Sequence, residues 1–171
     1  MTDKTSDALA RFDAVLVDAK DAETIWRGLQ DLADAVVGAR LFTVMQLDWS
    51  REESVRAYTS HPQEYPVSGA KPINRTHWFE TIHVERKPFV ANTIKDIANV
   101  FPDHELIWSL GCGSVVNLPV FVGGQMLGTV NLLDAEHYYT PERVAAIVAQ
   151  LSIPSKAAFL AVKAGSLAAR A

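Results

Sequence analysis

Apolar residues near the start of the chain recur every three or four positions, and from residue 41 onward they gather instead in short runs. The first pattern predicts helices, because that spacing places side chains on one face of a 3.6-residue turn. Leu9, Phe12 and Leu16 mark one helix over Ser6 to Ala19. A second begins at Asp21, whose carboxylate suits an N-cap, aligns Ile25, Leu29, Leu32 and Val36 in one stripe, and stops at Gly38. The second pattern predicts strands. Leu41–Leu47 and Ser54–Thr59 are rich in β-branched and aromatic residues, and the polar turn Ser50–Glu53 between them makes an antiparallel hairpin.

Between His61 and Asn74 stand Pro62, Pro66, Gly69 and Pro72, too many breakers for a helix, so this stretch reads as a structured loop suited to rim a pocket. Helical spacing returns over Thr76 to Glu85. Pro88–Ala91 is a short strand, Ile94–Ala98 one helical turn, and Asp103–Leu110 a short capped helix after Pro102. Ser114–Val122 and Gln125–Leu133 are apolar runs joined by Gly123 and Gly124, which accept the positive φ angles of a tight hairpin turn. Thr140, Pro141 and Glu142 then open a last helix, predicted to bury Val144, Ile147, Val148 and Leu151 and to kink at Pro154 or divide near Ile153. Helices at both ends with antiparallel hairpins between them predict an α+β domain whose terminal helices cover one face of a central sheet.

Composition narrows the setting. A chain of 171 residues has room for one domain, expected over 1–171 with its core at about 9–162, and 49% hydrophobic content excludes wholesale disorder. The net charge of −4 offers no basic excess with which to displace counterions, so nucleic-acid binding is not expected. No membrane span stands out against the ~20 apolar residues a bilayer requires, and the first residues lack an apolar leader; the expected location is the cytoplasm. The single cysteine, Cys112, excludes an internal disulfide and a cysteine-rich zinc site.

The stretch from Leu110 through Leu133, with Ser114, Pro119, Gly123, Gly124 and Gly128 in order, resembles the C-terminal hairpin of GAF domains, a serine followed by a proline, a glycine turn, and a hydrophobic-Gly strand. Tyr139-Thr140-Pro141-Glu142 is similar to the start of that family's last helix, and the element order from Leu9 to Val162 fits the same fold. The resemblance implies a sheet of about six antiparallel strands, long helices behind it that often pair two subunits, and a pocket on the other face under short helices and loops. Family members bind cyclic nucleotides, bilins, haem, nitrate and small metabolites, and a few are enzymes, so the fold does not by itself give the function. With no output module recognised in the sequence, the expectation is a sensor that binds a small polar or anionic molecule, acts as a homodimer, and signals through a separate output protein.

Individual residues refine this. One GAF branch, the free methionine-R-sulfoxide reductases, cycles cysteines through sulfenic acid and disulfide; Cys112 alone cannot close that cycle, which disfavours this alternative and leaves it as a redox thiol without a partner or a small wall or core residue. The five histidines show no metal-ligand spacing, the Cys-His pair of bilin attachment is absent, and no cyclic-nucleotide signature run is present. No cofactor or metal is assigned. Asn117 and Asn131 are amides in apolar strands; a two-residue Gly-Gly turn puts them on opposite faces unless a bulge shifts the register by one. The aromatic set Tyr58, Tyr65, Trp78 and Trp108 comes from segments that would cover the pocket, whereas Trp26 and Trp49 suit packing, and Lys71 places one cation in the proline-rich loop. The expected pocket wall is therefore Tyr58, Tyr65, Lys71, Trp78, Trp108, Cys112 and Asn117.

Overall fold

A computed structural model describes residues 3–168. Along the chain run α1 (Asp3–Asp18), α2 (Ala22–Val36), β1 (Leu41–Asp48), β2 (Glu53–Thr59), β3 (Lys71–Pro72) and α3 (His77–Phe79), the last passing directly into a π-helical turn over Glu80–Val84. There follow β4 (Phe89–Ala91), α4 (Ile94–Ala98), α5 (His104–Ser109), β5 (Ser114–Val122), β6 (Gln125–Asp134) and α6 (Pro141–Ala168). The strands form one six-stranded sheet in the order β3-β2-β1-β6-β5-β4. Every neighbouring pair is antiparallel.

The expected α+β layering is present. Trp26, Leu29 and Leu32 of α2, Phe12 of α1, and Ile147, Leu151 and Phe159 of α6 pack on Phe42, Val44, Val116, Leu118, Val130 and Leu132 of the sheet. On the opposite face a second cluster gathers Leu41, Phe89, Val115 and Leu133 from the strands under Tyr65, Ile82, Ile97 and Ile107 from the covering segments. The two clusters follow from strand alternation, since successive side chains point to opposite faces. Local signals act as the sequence predicts: Asp21 accepts a hydrogen bond from Thr24 N at 2.7 Å, and Gly38 ends α2 at φ 82°.

Three expectations change. The proline-rich loop contributes a two-residue strand, β3, which pairs with β2 through Ser54↔Lys71. The last helix runs continuously through Pro154, and Val148 is 40% exposed, so the buried stripe of α6 is narrower than the periodicity predicts. Finally, α6 does meet the length and composition of a membrane span, with mean hydropathy 1.6 over Pro141–Ser166 and a third of that window buried. It is instead seated against α2 and β5, leaving Ile153 75% and Leu160 46% exposed.

Two β-bulges decide what faces where. In β2, Val44↔Tyr58 is followed by Met45↔Arg56, so Ala57 is the extra residue. In β6, Val120↔Gly128 is followed by Phe121↔Met126, which makes Leu127 the extra residue. Gly128 beside that bulge lies so close to β1 that a Cβ would collide with the Met45 carbonyl oxygen and press on the Phe159 ring.

Candidate ligand-binding site

Between the sheet and the covering segments lie two adjoining cavities. The inner, of about 140 Å³, is lined by Thr43, Met45, Arg56, Tyr65, Asn117 and Asn131 among others. The outer, of about 260 Å³, is bounded by Met45, Lys71, Phe79, Ile82, Met126 and Thr129 among others, and Trp78, Phe101 and Asp103 line both.

The floor of the inner chamber is a row of hydrogen-bonded side chains. Trp78 Nε1 donates to Asn117 Oδ1 at 2.9 Å, Asn117 Nδ2 to Asn131 Oδ1 at 2.7 Å, and Asn131 Nδ2 to Thr43 Oγ1 at 3.1 Å. The row crosses three adjacent strands, β5, β6 and β1. Because an indole N–H only donates, Trp78 sets the direction of every later bond in the row. The bulge at Leu127 is what makes it possible: it brings Asn117 and Asn131 into direct register on one face, fulfilling the condition their spacing imposes.

At the other side of the chamber sits a charged group. Arg56, with 14% of its side chain exposed, donates to the Pro66 carbonyl at 2.8 Å and lies 3.8 Å from the Asp103 carboxylate. Its guanidinium stacks 3.8 Å above the Tyr65 ring, and Tyr65 Oη donates to Asp103 Oδ2 at 2.5 Å. Burial first, then the Asp103 charge, holds the Tyr65 phenol protonated well above its usual range. Asp103 occupies the N-cap position of α5 yet makes no side-chain cap bond, because its carboxylate is turned to Tyr65 and Arg56.

The seven wall candidates divide. Tyr65, Trp78 and Asn117 line the inner chamber and Lys71 the outer. Tyr58 does not reach either: the Ala57 bulge turns it to the helix side, where it packs edge-on to Phe42 and its hydroxyl donates to Gln30 Oε1 at 2.7 Å. Trp108 is 53% exposed on the outer side of α5, Ile107 taking the inward position. Cys112 is wholly buried beneath the chambers without lining them, and burial, reinforced by the Asp134 charge, pushes its thiol up to about 11. A thiol held protonated is a poor nucleophile.

Arg56, Asp103, Thr43 and Thr129 escaped the sequence reading. A lone arginine in the apolar run Ser54–Thr59 was a usable signal for Arg56, and Asp103 read as an ordinary cap. The two threonines carry no signal, since β-branched residues are what strands favour anyway. Behind Phe79 lies a further group that composition could not assemble: His83 stacks on Phe79 at 4.7 Å and meets Trp49 at a tilt at 4.8 Å, flanked by Arg75 and Arg86, and burial followed by those two charges lowers its pKa. Among the described residues no group of histidine, cysteine and carboxylate side chains is arranged to hold a metal ion.

No family model matches this sequence, and no curated protein matches it. Solved structures do. The GAF domain from a phosphoenolpyruvate-protein phosphotransferase of Coxiella burnetii superposes with a TM-score of 0.69 at 17% identity, covering 98% of this chain and 99% of that one. The GAF domain/HD domain protein from Geobacter sulfurreducens gives 0.66 at 15% identity over 89% and 98%. Free methionine-R-sulfoxide reductase from Neisseria meningitidis gives 0.62 at 18% identity over 96% and 95%. With the sheet order and these neighbours in agreement, the fold of this chain is that of a GAF domain.

Proposed function

We propose that this chain is a regulatory ligand-binding domain, which takes a small polar or anionic molecule into the chambers beneath α3–α5 and passes its occupancy to a separate output protein as a homodimer. The observation that carries this reading is the row Trp78–Asn117–Asn131–Thr43, a directed line of buried polar side chains on the floor of a cavity. A core would fill these positions with apolar residues, because buried amides contribute little to stability beyond satisfying one another. Their placement at a cavity wall suits recognition. The sulfoxide-reductase alternative has the likeness to the Neisseria enzyme in its favour. Against it stands Cys112, the single cysteine, buried and held as a thiol.

Native mass spectrometry of the protein purified from its own host tests the reading directly, with bound small molecule at stoichiometric occupancy as the expected result. Trp78→Ala removes the indole donor and one wall of both chambers, and is expected to weaken retention of that molecule about tenfold while leaving the subunit number unchanged. Normal retention by Trp78→Ala would move the site elsewhere.

A further inference from the structure

The outer chamber has features that specify a chemical class. Its walls are rings and thioethers: Trp78 and Phe101 meet edge-to-face at 6.2 Å, and Phe79, Met45 and Met126 complete an apolar slot. Such a slot suits a flat ring, through offset or edge contacts with the aromatics and sulfur contacts with the methionines. The charges lining the two chambers are Arg56, Asp103 and Lys71. Arg56 and Asp103 face each other, which leaves Lys71 at the mouth with no ion-pair partner among the described residues. The surplus is one positive charge on an exposed ammonium. A monoanion balances it; a phosphate dianion would ask for an arginine fork, and Arg56 is already committed.

One atom in the wall is unaccounted for. Of the buried side-chain polar atoms without a hydrogen-bond partner among the described residues, Asn92 Oδ1, Thr129 Oγ1, Gln150 Oε1 and Ser155 Oγ, only Thr129 Oγ1 belongs to a residue that lines this chamber. Thr129 is 1% exposed, and an orphaned hydroxyl at such depth is costly until something polar meets it. We infer that the outer chamber takes an aromatic monocarboxylate, its ring between Trp78, Phe79 and Phe101, its carboxylate at Lys71, and a polar ring substituent hydrogen-bonded to Thr129 Oγ1. This rests on the reading above that the chambers bind a ligand.

The test is titration of the full chain with four probes on one ring, 4-hydroxybenzoate, benzoate, benzamide and benzylamine, followed by calorimetry and by the Trp78 indole signal in ¹⁵N spectra, assigned with Trp78→Phe. Benzoate is expected to bind about threefold more tightly than benzamide, the range of an exposed ion pair, with benzylamine weakest. The hydroxyl of 4-hydroxybenzoate is expected to add about fivefold, as one buried neutral hydrogen bond does. Lys71→Gln should erase the preference for benzoate over benzamide, and Thr129→Val, which keeps the volume, should erase the gain from the hydroxyl while benzoate binds as before. Benzamide or benzylamine binding as tightly as benzoate, or either variant leaving its preference intact, overturns the inference. If no probe binds but host-purified protein carries a molecule of another class that Trp78→Ala loses, the inference falls and the binding function stands. If neither probe nor host molecule is found, both fall.

Discussion

Asn131 is the residue on which the site's polar floor turns, since it accepts from Asn117 and donates to Thr43, and is 5% exposed. Asn131→Ala strips both neighbours of a partner in a buried place, and is expected to lower stability by about 2 kcal/mol, read as a shift in the denaturant midpoint at unchanged slope. A double-mutant cycle with Trp78→Phe should show coupling, because the indole orients the row that Asn131 continues. His83 is one source of pH dependence. Its pKa is lowered from its ordinary 6.5, so the folded protein binds this proton less readily than the unfolded chain does. The neutral ring's contribution is complete above pH 6.5 and is lost as pH falls through the lower folded value. Thermal midpoints should therefore drop on acidification below about pH 6.5, and His83→Phe, which preserves the stack on Phe79 and the tilted contact with Trp49, should flatten that drop. An unchanged slope in His83→Phe would assign the pH dependence to other groups.

At the scale of elements, the bulges do more for the site than any helix. Strand alternation alone would put Arg56 and Tyr58 on one face; the extra residue Ala57 sends Arg56 to the chamber and Tyr58 to the helices. The extra residue Leu127 likewise sets Asn131 opposite Asn117. Gly128 permits that second bulge by leaving room for the Met45 carbonyl of β1. Backbone cannot yield as a flexible side chain does, so Gly128→Ala is expected to cost about 3 kcal/mol or more, to loosen the pairing of β1 with β6, and to reduce soluble yield. An alanine variant as stable as the parent would show that the sheet relaxes at this point. The covering elements are short by contrast. The π-helical turn Glu80–Val84 directs Ile82 inward while His83 packs against Trp49 behind Phe79, an irregularity of the kind that collects at functional sites.

For the whole molecule, the two faces of the sheet separate the two proposed tasks, ligand binding and dimerisation. The chambers lie on one, while α1 and α6 present Leu9, Val148, Ile153 and Leu160 to solvent on the other. A shallow apolar groove between these helices, lined by Leu9, Leu16, Ile153 and Pro154, continues that surface. Apolar surface of this extent on a helix that is hydrophobic nearly all round calls for a partner, and the proposed homodimer supplies one. Ile153→Glu combined with Leu160→Glu is expected to give a monomer in sedimentation at micromolar concentration, with probe binding at Trp78 unchanged. A wild-type monomer under those conditions would refute the proposal.

The sequence by itself determined the order of the elements apart from β3, the caps at Asp21 and Gly38, the Gly123-Gly124 hairpin and the α+β layering, because helical and strand periodicities and turn chemistry are local properties. It also marked Tyr65, Lys71, Trp78 and Asn117, whose residue types are out of keeping with their surroundings or lie in segments that must cover a pocket. Which face a strand residue occupies is different. A single bulge reverses it for everything beyond, and whether a bulge forms depends on the partner strand as well as on the bulged one. So the tertiary structure alone withdrew Tyr58, joined Asn117 to Asn131, and set Arg56 against Asp103 across 47 residues of chain, a pairing no local pattern encodes. It alone left Thr129 in the wall with an unanswered hydroxyl, since an unmet hydrogen bond is a property of the space around an atom and has no spelling in the sequence.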